Sequence, residues 1–276
     1  MPTLVLTVAF FLLPFLLNVY FAFTQWTGFS SRISVNGVDN FVNLVDSGVL
    51  PVAIRVTVTY AVVAMLMQNV ISVGLALLMQ RSNRGNSFFR ALYFLPVLIS
   101  PLAAGYIWSA ILEPRGPLNQ AIGLVAPGFD HAWLGDGTSA LVAVAFIDVW
   151  KWSGIVTLVY IAGLNAIPRS LVEAAKIDGA NAWRAFWSVK FPLLAPSFTF
   201  SVVVSFLGAL NAFDIVQATT RGGPGDATSV LNIAMYRQYS GGFFGMASSI
   251  SLTITILVVV LGVPLIAFLR RREVEA

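Results

Sequence analysis

The run VTVTYAVVAMLMQNVISVGLALLM, Val56–Met79, contains 24 residues and no charge. A helix rises 1.5 Å per residue, so roughly 20 apolar residues cross a hydrocarbon layer about 30 Å thick, and this run is long enough to do so. Five more runs of the same kind lie along the chain, at approximately Leu4–Phe23, Ala91–Leu112, Ala140–Leu164, Ser197–Ala218 and Met246–Leu269. In lipid every backbone N–H and C=O must find a partner, and the alternating ten-residue pattern of a membrane barrel is absent, so all six runs read as helices. The expected fold is an all-α membrane protein with six transmembrane helices, a single transmembrane domain over residues 1–276. Leu4–Phe23 has no basic region before it and no small-residue cleavage site after it, so it reads as a retained span rather than a leader.

Composition agrees with the spans. Of 276 residues, 58% are hydrophobic and 10% charged, against about 25% charged in soluble domains, which excludes a water-soluble globular chain. The chain has no cysteine and one histidine, His131. Thiol chemistry, disulfide frameworks and a zinc site are thereby excluded as expectations, and no metal site is read. A net charge of +4 fits a membrane surface better than nucleic acid. Alternate connections carry ten and five of the Lys and Arg residues. The richer side holds Arg81, Arg84 and Arg90, then Arg169, Lys176, Arg184 and Lys190, then Arg270, Arg271 and Arg272, which places both termini in the cytoplasm. The opposite connections are turn-rich at Glu113-Pro114-Arg115-Gly116-Pro117 and Arg221-Gly222-Gly223-Pro224-Gly225, as expected of compact external loops.

The cytoplasmic connection from Ile167 to Pro192 has structure of its own. Pro168 interrupts span four, Ser170 with Glu173 forms a capping box, and Gly179 can end or bend the short helix that follows. Trp183, Phe186 and Trp187 then recur at helical spacing, giving a helix-turn-helix across the cytoplasmic face. Ala174 and Ala175 permit close approach of another surface, while Glu173 and Asp178 offer fixed charge. Read from the residues alone, the segment is also compatible with an ordinary amphipathic connector.

Three charges are embedded in spans, where each costs about 2.5 to 3.5 kcal/mol on insertion scales and normally faces a bundle interior or a watery path. Asp148 and Lys151 stand three apart in span four and can neutralise each other, a structural role. Trp152 and Ile155 extend the same face, and carboxylate, ammonium and aromatic surface together suit sugar hydroxyls and ring faces. Asn211 and Asp214 form a second polar stripe in span five, beside the small residues Gly208, Ala209 and Ala212. Gln68 and Asn69 read as interhelical hydrogen-bonding residues, and Trp26 and Trp108 as interfacial anchors. Two rival functions use the same acids. One is an intramembrane aspartyl hydrolase built on Asp148 and Asp214, although neither acid has the Y-D or G-x-G-D context of such enzymes. The other is a proton-coupled secondary transporter.

Glu173-Ala174-Ala175, Asp178-Gly179-Ala180 and Phe191-Pro192 closely resemble the EAA loop of ABC importer permeases, in the extended form of sugar permeases. Phe94-Leu95-Pro96, Phe213-Asp214 and Thr220-Arg221-Gly222-Gly223-Pro224 are similar to stretches of the carbohydrate-uptake branch, the maltose- and glycerol-phosphate-type, binding-protein-dependent permeases. The resemblance covers the whole chain, and neither rival function explains the EAA loop. It implies a permease subunit in a bacterial or archaeal cytoplasmic membrane, forming half of a translocation pathway for a sugar, an oligosaccharide or related polyol. The implied partners are a second permease, usually a different chain, an ATPase dimer and an external solute-binding protein. Glu173, Ala174, Ala175, Asp178 and Gly179 would form the coupling helix seated on the ATPase. Asp148, Lys151, Trp152 and Ile155 match by position the part of span four that holds sugar, with Asn211 and Asp214 along the pathway. The chain lacks a G-x-x-x-x-G-K-[ST] phosphate loop. It is therefore not expected to be an enzyme or to hold a cofactor, with ATP and Mg bound by the partner ATPase.

Overall fold

The computed structural model describes residues 2–30, 32–80 and 83–271; Arg81 and Arg272, which entered the count of basic residues, lie outside them. Four apolar runs form unbroken helices long enough to cross a membrane: α1 (Pro2–Ala22), α3 (Val49–Met79), α7 (Gly137–Ala166) and α13 (Phe244–Arg270). Each exceeds its predicted span at one or both ends, and α3, with 31 residues, is about 46 Å long. Arg55, assigned from sequence to an outer connection, lies within α3. The connections after the first, third and fifth runs contain helices that composition did not announce: α2 (Asp39–Asp46), α6 (Pro117–Gly123) and α12 (Leu231–Ser240). Asp136 caps α7 by accepting the Ser139 N–H at 3.0 Å. That bond holds its carboxyl below the usual carboxylate range.

The other two predicted spans are broken. Span three consists of α4 (Arg84–Leu98) and α5 (Pro101–Ile111), which meet at 101°. The cause is local. Pro101 disfavours helical geometry at the residue before it, and Ser100 is extended (ψ 146°), as is Ile99 (ψ 141°). Ser100 then accepts the Ala103 N–H on its hydroxyl at 3.2 Å and starts α5 with proline in its first turn. Ser100-Pro101 is thus a helix start written inside an apolar run, where span length alone reads continuity.

The run predicted as span five is α10 (Ala195–Leu210), a break at Asn211-Ala212-Phe213, and α11 (Asp214–Thr219). The stripe expected from Asn211 to Asp214 therefore does not lie on one helix. Before α10 comes the helix pair α8 (Arg169–Ile177) and α9 (Ala182–Leu193), with α9 bent 73° from α10. The expected capping box is not formed, because α8 begins two residues earlier with Pro168 as its N-cap, leaving Ser170 inside the helix.

The core lies where α3, α7 and α10 meet. Tyr60, Ala61 and Ala64 pack there with Val144, Ile147, Phe206 and Leu210. Asn69 ties all three helices: its amide donates to Ser205 Oγ at 2.8 Å, and its carbonyl accepts from the Tyr160 hydroxyl at 2.6 Å. Such bonds pair groups that lipid cannot satisfy. Trp108 joins this interior rather than an interface, since its ring stands edge-on to Phe146 (5.5 Å) and Trp150 (5.4 Å). Trp26 lies half-buried among Phe21 and Phe244 at the outer end of α1.

Candidate functional site

A cavity of about 370 Å³ opens between α3, α7, α10 and the break before α11. Five of the six pathway residues picked out from sequence line it: Asp148, Trp152 and Ile155 from α7, Asn211 from the break and Asp214 at the start of α11. Residues 148, 152 and 155 fall within about 60° of arc on a helix turning 100° per residue, so one stripe of α7 faces the space. Trp152 and Ile155 keep 38% and 37% of their surface exposed, presenting an aromatic and an aliphatic face to whatever enters. Gly208 and Ala209 form the opposite wall without filling it.

Lys151 goes elsewhere. Only 1% exposed, it is absent from the cavity wall and forms no ion pair with Asp148. Its ammonium donates to the carbonyls of Ile99 (2.6 Å), Val97 (3.3 Å) and Pro96 (3.4 Å), and lies 4.3 Å from the centre of the Trp152 ring. These carbonyls belong to the C-terminal end of α4, where intrahelical donors run out and partial negative charge accumulates. Pro101 supplies no N–H four residues after Val97, so that carbonyl has no helical partner in any case. The expected neutralisation of Asp148 is therefore replaced by capping of a helix end. Three residues along a helix is 60° short of a full turn, enough to swing Lys151 off the cavity stripe and toward α4. Two neighbours complete that contact. Ser153 Oγ meets the Tyr93 hydroxyl at 2.6 Å, and Gly154 lies against α4, where a Cβ would come within 3.1 Å of the Tyr93 carbonyl.

The cavity has further polar lining that sequence reasoning did not assign to it. Tyr60 contributes a buried hydroxyl beside Asp148, and Gln68 and Ser205 add an amide and a second hydroxyl. Of the two amides expected to bond between helices, Asn69 does so, while Gln68 lines the cavity. Nothing in the spacing separates two adjacent amides until their faces of α3 are known.

In the connection after α7, α8 has no buried residue. Glu173, Ala174 and Asp178 are exposed, Ala175 is half-buried, and Leu171 and Ile177 stand 44% and 87% exposed. The helix ends at Gly179 (φ +80°), whose N–H donates to the Lys176 carbonyl at 3.0 Å while Ala180 donates to Ala175 at 2.9 Å. This is a left-handed C-terminal cap of the kind glycine adopts without strain. Asn181 starts α9 by accepting the Arg184 N–H at 2.8 Å. Along α9 and into α10, Trp183, Trp187, Phe191 and Phe198 form a chain of ring contacts between 4.9 and 5.6 Å.

Comparison with known proteins gives the following. Residues 68–272 match the family model described as "Binding-protein-dependent transport system inner membrane component". The chain is 30% identical over 276 residues to the probable starch degradation products transport system permease protein AmyD of Thermoanaerobacterium thermosulfurigenes, covering 99% of this chain and 93% of that one. It is 34% identical to the sn-glycerol-3-phosphate transport system permease protein UgpA of Agrobacterium fabrum, covering 97% and 90%. Its fold is similar to a chain of a bacterial ABC transporter involved in the import of the acidic polysaccharide alginate, with a TM-score of 0.84 at 21% identity over 98% of this chain and 93% of that one.

Proposed function

The chain belongs to the binding-protein-dependent transport system inner membrane component family, and from that membership we propose how its cavity and its cytoplasmic helix pair divide the work. It is the permease subunit of a binding-protein-dependent ABC importer, a multi-pass protein of the inner membrane that works with a partner permease, an ATPase and a solute-binding protein. It is not itself catalytic, because ATP is hydrolysed on the ATPase subunit.

The cavity is this chain's half of the translocation pathway, and the solute is a sugar, an oligosaccharide or related polyol. The observation that carries this reading is the convergence of Asp148, Trp152, Ile155, Asn211 and Asp214 on one space. Carboxylates and amides accept and donate hydrogen bonds to hydroxyls, and Trp152 offers a flat surface to a sugar ring. Lys151 serves the pathway by holding α4, rather than by touching solute. The second permease is a different chain, ATP and Mg sit on an ATPase dimer, and this chain carries no cofactor. Residues 1–276 act as one membrane domain with both termini in the cytoplasm.

The helix α8 is the coupling helix. Glu173, Ala174, Ala175, Asp178 and Gly179 form or end its exposed surface, and the lack of any buried residue on it supports a face that another protein covers. Proline cannot adopt φ +80° and has no N–H for the Lys176 carbonyl, so Gly179→Pro disrupts the cap; a ring in Ala174→Trp blocks close approach. Both variants are expected to keep the wild-type melting temperature of the purified permease, while solute-stimulated ATP turnover of the reconstituted importer falls to its basal rate. Wild-type stimulation in both would remove α8 from coupling. Uptake of a sugar panel into vesicles, ATP-dependent and insensitive to a protonophore while ATP is maintained, separates this function from proton-coupled transport.

A further inference from the structure

The polar groups that the described residues offer to the cavity share one property. The carboxylates of Asp148 and Asp214 accept, while Gln68, Asn211, Tyr60 and Ser205 are neutral groups that both accept and donate; none is cationic. The ammonium of span four is engaged with the carbonyls of Pro96, Val97 and Ile99 at the end of α4, outside the cavity wall and behind the Trp152 ring. A solute hydroxyl finds acceptors here, and hydroxyl-to-carboxylate bonds are the stronger, charge-assisted kind. A phosphate or uronate group brings oxygens that only accept. It would give up its hydration beside two further acceptor-only groups, with no cation to replace the lost water. Overall likeness does not decide the matter, since relatives named for starch degradation products and for sn-glycerol-3-phosphate are similarly identical to this chain, at 30% and 34%.

We propose that this chain's half of the pathway is selective for uncharged polyhydroxylated solutes and discriminates against anionic ones, with Asp148 and Asp214 as the discriminating residues and Lys151 kept out of the space by its engagement with α4. This rests on the transport reading above and narrows its solute class. Asp214, exposed at the start of α11, screens solute at the open rim. Asp148, half-buried beside the Tyr60 hydroxyl, acts deeper in the wall.

The test is saturation-transfer NMR on the assembled importer without its binding protein, so that selectivity belongs to the membrane subunits. Maltotriose and raffinose serve as neutral probes, trigalacturonate and sn-glycerol 3-phosphate as anionic ones. At least one neutral probe is expected to bind saturably, with the anionic probes weaker by roughly tenfold or more, the scale of one unmatched charge interaction. Asp214→Lys shifts the ratio toward the anionic probes by roughly tenfold, and Asp148→Asn shifts it less in the same direction. Co-purification of the ATPase verifies that each variant is assembled. Anionic probes binding the wild type as tightly as neutral ones, or a ratio that Asp214→Lys leaves unchanged, would overturn the proposal while sparing the transport function. Binding of none of the four probes to a complex that retains its ATPase counts against the saccharide reading itself, and so against both.

Discussion

The two breaks in the membrane-embedded backbone are resolved in opposite ways. Between α4 and α5, a distant side chain takes up three of the carbonyls at the break: Lys151 holds those of Pro96, Val97 and Ile99, and Ser100 caps the helix that follows. Between α10 and α11, Asn232 reaches the Ala212 carbonyl at 3.4 Å, but the Asn211 side chain turns back on its own helix, its amide donating to the Leu207 carbonyl at 2.8 Å, and Asp214 is left exposed on the cavity. Irregular backbone at membrane depth is tolerated when it is buried in protein or lines a wet space. This chain uses each solution once. The first break fixes a shape, and the second leaves polar groups available for solute.

The contrast is broken most severely by Lys151→Met. Removing the cation leaves buried carbonyls of α4 without a donor, and the loss of the permease fold is expected to be about 2 to 5 kcal/mol. The measurement is thermal unfolding in detergent together with the yield of assembled importer. Asp148→Asn in the same chain should not restore stability, whereas mutual neutralisation of the two charges would require that it does. A normal melting temperature for Lys151→Met would show that the first break does not need its cap.

Ser100→Ala tests the other side of the same break. Losing the N-cap bond to Ala103 is expected to cost about 1 kcal/mol, seen as a fall of about 2 to 4 °C in melting temperature for a chain of this size. A fall as large as that of Lys151→Met would mean that the two caps contribute equally. For the second break the expectation reverses. Asp214→Asn should leave stability within about 0.5 kcal/mol of wild type, as for other exposed positions, while uptake of sugar into vesicles weakens at unchanged basal ATP turnover. A marked drop in melting temperature for that variant would place Asp214 in the fold and erase the distinction between the breaks.

Much of this architecture can be read from the chain, for identifiable reasons. Apolar run length reports on burial in lipid, so the positions of Val56–Met79 and its five counterparts were legible to within a few residues at most ends. Run length is blind to which backbone groups are paired. Ser100-Pro101 and Asn211-Ala212-Phe213 therefore passed as parts of continuous spans, although Ser100-Pro101 carries an ordinary helix-start pattern. The candidate site was legible where it depends on one helix: Asp148, Trp152 and Ile155 share a stripe of α7 whatever surrounds it. It was not legible where the partner is distant. The carbonyls that claim Lys151 lie 52 to 55 residues away, and Tyr60 and Gln68 reach the cavity only because α3 packs against α7 and α10 in one rotation. The glycine turn at Gly179 was legible because its backbone requirement is local, and the cap expected at Ser170 lies two residues earlier, at Pro168.

The turn of α7 from Asp148 to Ile155 has one further consequence, for how the range of transported solutes can be altered. Lys151, Ser153 and Gly154 are committed to α4 through three carbonyls, a 2.6 Å hydroxyl pair and a close backbone approach, while Asp148, Trp152 and Ile155 meet open space. The two sets interleave in sequence yet share no contact surface apart from the Trp152 ring under the ammonium. On the proposed solute pathway, specificity is expected to be open to redesign at Asp148 and Ile155 without disturbing the contact with α4. Trp152 is the position where a change of solute also alters the fold, and libraries that randomise the whole stretch will be dominated by unfolded members.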